Sequence, residues 1–132
     1  MARAKTRGRR RSTTRRRAVA PLDPGRDAGA VVWLTDPVQP AVRYRTLVDL
    51  LDRPANDPVV AAARERIPRV GWARDLFAKQ KSGGHWESAD NLYRPKYRST
   101  IWNVQVLALL GVTRKDPRMA AACRLFLDQY AH

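Results

Sequence analysis

The feature that most restricts this chain is a helix-like stretch that occurs twice. "PRVGWARDLFAKQ" (68–80) and "PRMAAACRLFLDQ" (117–129) align without a gap at an offset of 49 residues. Six of the thirteen positions are identical: Pro68 and Pro117, Arg69 and Arg118, Ala73 and Ala122, Leu76 and Leu125, Phe77 and Phe126, Gln80 and Gln129. A fixed period of this size marks units that cannot bury their apolar faces alone and must stack on neighbours. The unit here is a helix pair, with the segment 100–110 lying between two helices of the repeated type. Two amphipathic helices that match by chance are the competing reading, and the shared proline, phenylalanine and glutamine make it the weaker one.

The rest of the chain carries helix punctuation. "PAVRYRTLVDLLDR" (40–53) groups Val42, Leu47, Val48, Leu50 and Leu51 on one side, and Pro54 closes it. Asp57-Pro58 and Asp116-Pro117 each supply a carboxylate N-cap and then a proline at the first helical position, where a missing N–H leaves nothing unpaired. "PVVAAARERI" ends at Pro68. "GWARDLFAKQ" is expected to run up to Gly83 and Gly84, and "TIWNVQVLALL", capped by Ser99 or Thr100, up to Gly111. That last segment is apolar on most faces, which predicts a buried helix. In "PRMAAACRLFLDQY" the residues Met119, Ala122, Cys123, Phe126, Leu127 and Tyr130 form one stripe. "VVWLTDP" (31–37) reads as a short strand or as an apolar strap. Five or six helices and no sheet make the fold class all-α.

Charge divides the chain. Residues 1–17 hold nine Lys or Arg and no acid, while the remaining seventeen basic and twelve acidic residues leave about +5 of the formal +14 for everything else. A segment so charged and so poor in apolar residues is expected to be a disordered tail. "AVAPLDPGRDAGA" extends it as a linker, so 1–30 is tail and linker and 31–132 is the helical unit. The roughly one hundred residues that remain suffice for a modest core. No apolar run approaches the ~20 residues of a membrane helix, and "AVA" is too short for the apolar stretch of a secretory signal. The tail also fits a mitochondrial transit peptide, but a lone Cys123 fits a reducing compartment, and the cytoplasm is the expected location.

Gln80, Gly84 and Trp86 form Q-x-x-x-G-x-W, which resembles the QW motif of squalene–hopene cyclases and related triterpene cyclases. The stretch from Gly71 to Arg118 looks like the N-terminal part of proteins in the terpenoid cyclase and protein prenyltransferase superfamily, and the likeness covers about residues 40–130. The resemblance implies an α/α toroid, here a partial one of about two helix pairs. It also implies that the glutamine packs on the tryptophan and bonds to the end of a neighbouring helix, so that Gln80, Gly84 and Trp86 are structural. The sequence departs from the family's chemistry. It lacks the D-x-D-D acid motif of the cyclases, with Asp90 standing between Ala89 and Asn91. The Asp, Cys and His that bind zinc in the prenyltransferases have no counterpart, since Cys123 sits on an apolar stripe and His132 is the last residue. A complete second copy would place a glycine at 133 and a tryptophan at 135, so that copy lacks its closing turn.

Other candidates weigh less. His85, Glu87 and Asp90 match no zinc spacing, and a turn histidine in solvent explains them. Cys123 as a nucleophile needs a base beside it, and a small core residue is the better reading. Trp33, Trp72, Trp86 and Trp102 would line an isoprenoid pocket only in a complete ring, and packing accounts for all four. "YRPKYRS" (93–99) mixes aromatic and basic residues in a way that suits nucleic acid, or simply forms a solvated loop. Arg9, Arg10, Arg11, Arg15, Arg16 and Arg17 are the candidate phosphate contacts of the tail. Against them stand a merely solubilising tail and a start of translation further downstream, the latter in keeping with 21 Arg to 5 Lys and abundant Ala.

The expectation is a non-catalytic or truncated helical-repeat protein, with no cofactor and no metal, that associates with another protein or with itself at an open repeat end. A nucleic-acid-associated protein that binds non-specifically through the tail is the alternative. A subunit of a terpenoid cyclase-type enzyme, its ring completed by another chain, is the second.

Overall fold

Asp57 and Asp116 start helices as their sequence predicts, because an N-cap is decided by the two residues that follow it. Each carboxylate accepts a hydrogen bond from the backbone N–H two residues on, Val59 at 2.8 Å and Arg118 at 2.9 Å. These two starts belong to six helices in the computed structural model, which describes Asp23 and residues 25–131. They are α1 (Ala28–Leu34), α2 (Pro40–Arg45), α3 (Pro58–Arg66), α4 (Trp72–Phe77), α5 (Thr100–Leu109) and α6 (Pro117–Tyr130). No described residue forms a strand, so this part of the chain is all-α. No helix among the described residues is long and apolar enough to cross a membrane. The Arg-rich segment 1–17, and residues 18–22 and 24 of the linker, lie outside the described residues.

Two sets of buried side chains hold the helices. The larger joins Ala41 of α2, Ile67, Ala73 and Phe77 of α4, Trp86, Leu107 of α5, Val112, and Met119 and Ala122 of α6. The smaller pairs Leu47 with Val60 and Ala63 of α3, and Tyr44 touches both. A Schellman turn closes α5: the Gly111 N–H reaches the Ala108 carbonyl and the Val112 N–H reaches that of Leu107, each at 3.0 Å. The turn needs a left-handed residue, and Gly111 supplies it at φ 97°. Val112 is thereby turned back into the core.

Four expectations need correction. "VVWLTDP" is neither strand nor strap. Val31 to Leu34 complete α1, which already begins at Ala28 and so takes three residues from the linker. The Thr35 hydroxyl closes that helix by donating to the Val31 carbonyl at 2.7 Å. Secondly, α2 does not continue to Arg53 as a regular helix. The Thr46 hydroxyl takes the Val42 carbonyl at 2.9 Å, and Thr46–Leu50 winds as a π-helical turn, with the Leu51 N–H reaching back to Thr46. The wider winding turns Leu50 and Leu51 away from the core that Leu47 enters.

The third concerns α4, which stops at Phe77 rather than at the glycine pair. Its last turn tightens into Lys79 N–H to Leu76 and Gln80 N–H to Phe77 bonds of 3.1 and 3.0 Å. Finally, the apolar surfaces of α5 and α6 are only partly covered. On α5, Leu109 is 76% exposed and Val106 44%, and on α6 the stripe ends in exposed Leu127 and Tyr130. Of the four tryptophans Trp86 alone is fully buried, while Trp33 and Trp72 are more than half exposed.

Candidate functional site

The structure brings Gln80, Gly84 and Trp86 together at the meeting of three helices. Gln80 follows α4, and its amide donates two hydrogen bonds of 3.0 Å. One goes to the Gly84 carbonyl across the turn, the other to the Arg118 carbonyl in the first turn of α6. Gly84 lies at φ 84° with its backbone against α6, where an added Cβ would stand 3.1 Å from the carbonyl carbon and Cβ of Ala121. Both the conformation and the close approach make a side chain at this position costly. Trp86 then enters the core. Its backbone N–H donates to the Thr100 hydroxyl at the start of α5 (3.0 Å), and its indole N–H donates to the Leu76 carbonyl in α4 (2.8 Å). The indole lies 6.4 Å from the Phe77 ring, centre to centre. A buried indole with its N–H satisfied contributes apolar burial without an unpaired donor.

Arg118 completes the junction from the α6 side. Its guanidinium carbon stands 3.9 Å from the centre of the Phe77 ring, and one nitrogen donates to the Pro68 carbonyl at 3.0 Å. The same group grips Asp116 through Nε (3.0 Å) and Nη2 (2.7 Å). That side-chain hydrogen bond, set against the desolvation of partial burial and helped by the Arg118 N–H, holds the Asp116 carboxyl below the usual carboxylate range. So one residue holds the Asp116 cap of α6, covers an aromatic face of α4 and anchors the turn after α3. The corresponding residue of the other copy, Arg69, is exposed at the surface. Gln129 behaves more like Gln80: its amide donates to a backbone carbonyl of the same long loop, that of Asp90, at 3.0 Å.

A second feature is an apolar groove of about 390 Å³ between α2, its π-helical turn and the end of α5. Leu34, Ala41, Val42, Leu50, Leu109 and Leu110 line it, with Arg45 and Asp49 at its edge. Both the groove and the exposed leucine beside it come from positions that the sequence pattern places in a core. What opens them is the π-helical turn, together with the lack of any covering element among the described residues.

The remaining candidates are scattered. Glu87 accepts a two-pronged ion pair from Arg98, with its oxygen 3.1 Å from Nε and 2.9 Å from Nη2. Asp90 is exposed and His85 half-buried, and no three of the described His, Cys, Asp and Glu side chains come close enough to hold a metal ion. Cys123 is half-buried against the core on α6. Arg9, Arg10, Arg11, Arg15, Arg16 and Arg17 lie outside the described residues. Sequence reading named Arg118 only as a repeat position and Thr100 only as a candidate cap, and missed the part each plays in the junction. Arg118 had a signal, its place two residues after an N-cap aspartate, but its partners Phe77 and Pro68 lie far back along the chain, Pro68 by 50 residues.

Two measurements check the junction. Gly84→Ala should lower stability by about 2–4 kcal/mol, the combined cost of a left-handed non-glycine residue and of overpacking against Ala121. Gly29→Ala, in a helix with nothing within 4 Å of its added Cβ, should be neutral or stabilising by up to about 1 kcal/mol. Asp116 gives the second. Its carboxyl is held lower when folded than when unfolded, so its contribution is present above the unfolded value near 3.8 and is lost as the pH falls through the folded value. Below about pH 4, urea midpoints should therefore fall more steeply for the parent chain than for Asp116→Asn.

Comparison with protein-family models, with curated proteins and with solved structures found no match to this chain.

Proposed function

We propose that this chain is a non-catalytic helical protein that acts through protein–protein association, with the open apolar face along α2 and α5 as its docking surface. The observation that carries the reading is Leu109, 76% exposed on the rim of a groove lined by Leu34, Val42, Leu50 and Leu110. Val106 continues the row one turn earlier on α5 and is 44% exposed. Apolar side chains gathered in this way favour burial against a partner. Asp116, whose carboxyl is held below the usual range, is committed to its own helix start and to Arg118, a structural use.

The likeness to the terpenoid cyclase and prenyltransferase superfamily belongs to the same proposal. Support for it comes from the Gln80 bonds to Gly84 and Arg118, the buried Trp86, and the parallel use of Gln129. On this reading the chain is a partial α/α toroid of about two helix pairs, and the partner covers the face that further helix pairs would cover in a full ring.

A second copy is the first partner to test. One face carries both a ridge (Val106, Leu109) and a groove, which suits a twofold contact in which each copy's ridge meets the other's groove. The net charge of +14 opposes such a contact until salt screens it. Light scattering on the full chain at about 0.3 M salt should therefore give twice the 15.0 kDa chain mass. Leu109→Glu should return it to one chain mass with unchanged helical circular dichroism. A single chain mass at every concentration and salt would remove the second copy as partner.

A further inference from the structure

We infer that the loop 91–98, seated on Trp102, is a stacking platform for single-stranded nucleic acid. The inference does not depend on the apolar face, which lies on other residues. It rests on three observations: aromatic rings held out in solvent, a backbone that fixes them there, and cations interleaved with them.

Tyr93 and Tyr97 both pack on the Trp102 indole, with ring centres 5.5 and 5.0 Å from it and planes tilted by 50° and 55°. Neither tyrosine is in the core, and Tyr97 is 71% exposed. A large ring left in water on a loop has a cost that folding alone does not explain, since the same loop buries Leu92 completely. The backbone adds to that cost. Tyr97 lies at φ 66°, a conformation that a bulky residue adopts only when its surroundings impose it.

The surroundings are specific. Asn91 accepts from the Tyr93 and Arg94 N–H groups at 3.1 and 2.8 Å, and the Trp102 indole N–H donates to the Tyr93 carbonyl at 3.1 Å. After the turn, the Arg98 and Ser99 N–H groups both reach the Pro95 carbonyl, and the Asn103 amide ties down the Arg98 carbonyl at 2.8 Å. The rings are thus fixed before any ligand arrives, which reduces the ordering cost of binding.

Charge decides the class of ligand. Arg94 and Lys96 stand between the two tyrosines, and the Lys96 ammonium lies 5.2 Å from the centre of the Tyr97 ring. Neither makes an ion pair among the described residues, whereas the nearby Glu87 carboxylate is taken by Arg98. Tyr93, Arg94, Pro95 and Lys96 line a cleft of about 590 Å³, within the roughly 300–1,000 Å³ typical of sites for small ligands. An acidic peptide would use the cations and leave the rings idle. A single strand uses both, with bases on the rings and phosphates on the cations, and this needs no particular sequence.

The test compares two oligomers of equal charge on the full chain: a labelled oligothymidylate of about fifteen nucleotides, and an abasic sugar–phosphate strand of the same length. Any phosphate binding by the basic N-terminal segment is common to both, so the ratio of affinities isolates the bases. At about 0.15 M salt, the parent protein should bind the thymidylate at least about ten-fold more tightly than the abasic strand. Tyr97→Ala should abolish that preference, and Tyr97→Phe, which keeps the ring, should retain it. Helical circular dichroism on each variant separates loss of the platform from loss of the fold. Equal affinity for the two oligomers would overturn the inference, as would a preference that survives Tyr97→Ala.

Discussion

Trp86, and the turn that carries it from Gln80, is the contact on which the arrangement of the last three helices depends. Within seven residues the chain meets α4 through the indole N–H, α5 through the backbone N–H, and α6 through both the Gln80 amide and the bare backbone of Gly84. Each is a polar or steric contact between elements distant in sequence, and the indole supplies the apolar mass among them. Without the turn, α4 is only six residues long, too short to be stable alone in water. Packing holds this helix in place, with Ala73 and Phe77 buried in the same core as Trp86.

Arg118 shows how a charged residue contributes when its charge is not the main point. Its pair with Asp116 is close to the surface, where an ion pair alone contributes little. The planar guanidinium also covers the Phe77 face and bonds the Pro68 carbonyl, uses that a lysine ammonium could not combine. The Arg118 carbonyl, meanwhile, receives Gln80. One residue thus links the turn after α3, the body of α4 and the start of α6. Among the described residues no such closure covers the groove, where Leu50 and Leu109 remain exposed, and the association proposed above rests on that exposure.

Local chemistry was legible in the sequence and tertiary chemistry was not. The Asp57 and Asp116 caps and the Gly111 turn could be read because each depends on residues within a few positions. The start of α1 could not: Asp27 makes no side-chain cap bond, and Val31 and Val32 read as strand formers. The π-helical turn after α2 was hidden because one hydroxyl, that of Thr46, competes with the ladder and swings Leu50 and Leu51 out. Gln80, Gly84 and Trp86 stood out by their spacing. Their partners Leu76, Thr100, Ala121 and Arg118 emerge only once the helices are assembled. The exposed rings on Trp102 were visible as a mixture of residues, but not as a fixed surface.

Native-state hydrogen exchange tests the central claim most directly. If the Gln80–Trp86 turn holds the helices together, the Gly84, Trp86 and Val112 amides should exchange only through global unfolding. Their opening free energies should then equal the stability measured by denaturant. Amides of α1, which buries no residue, should open at much lower free energy. Exchange of the Gly84 and Trp86 amides at the α1 rate, while α5 and α6 remain protected, would contradict the account: the helices would then hold one another without the turn.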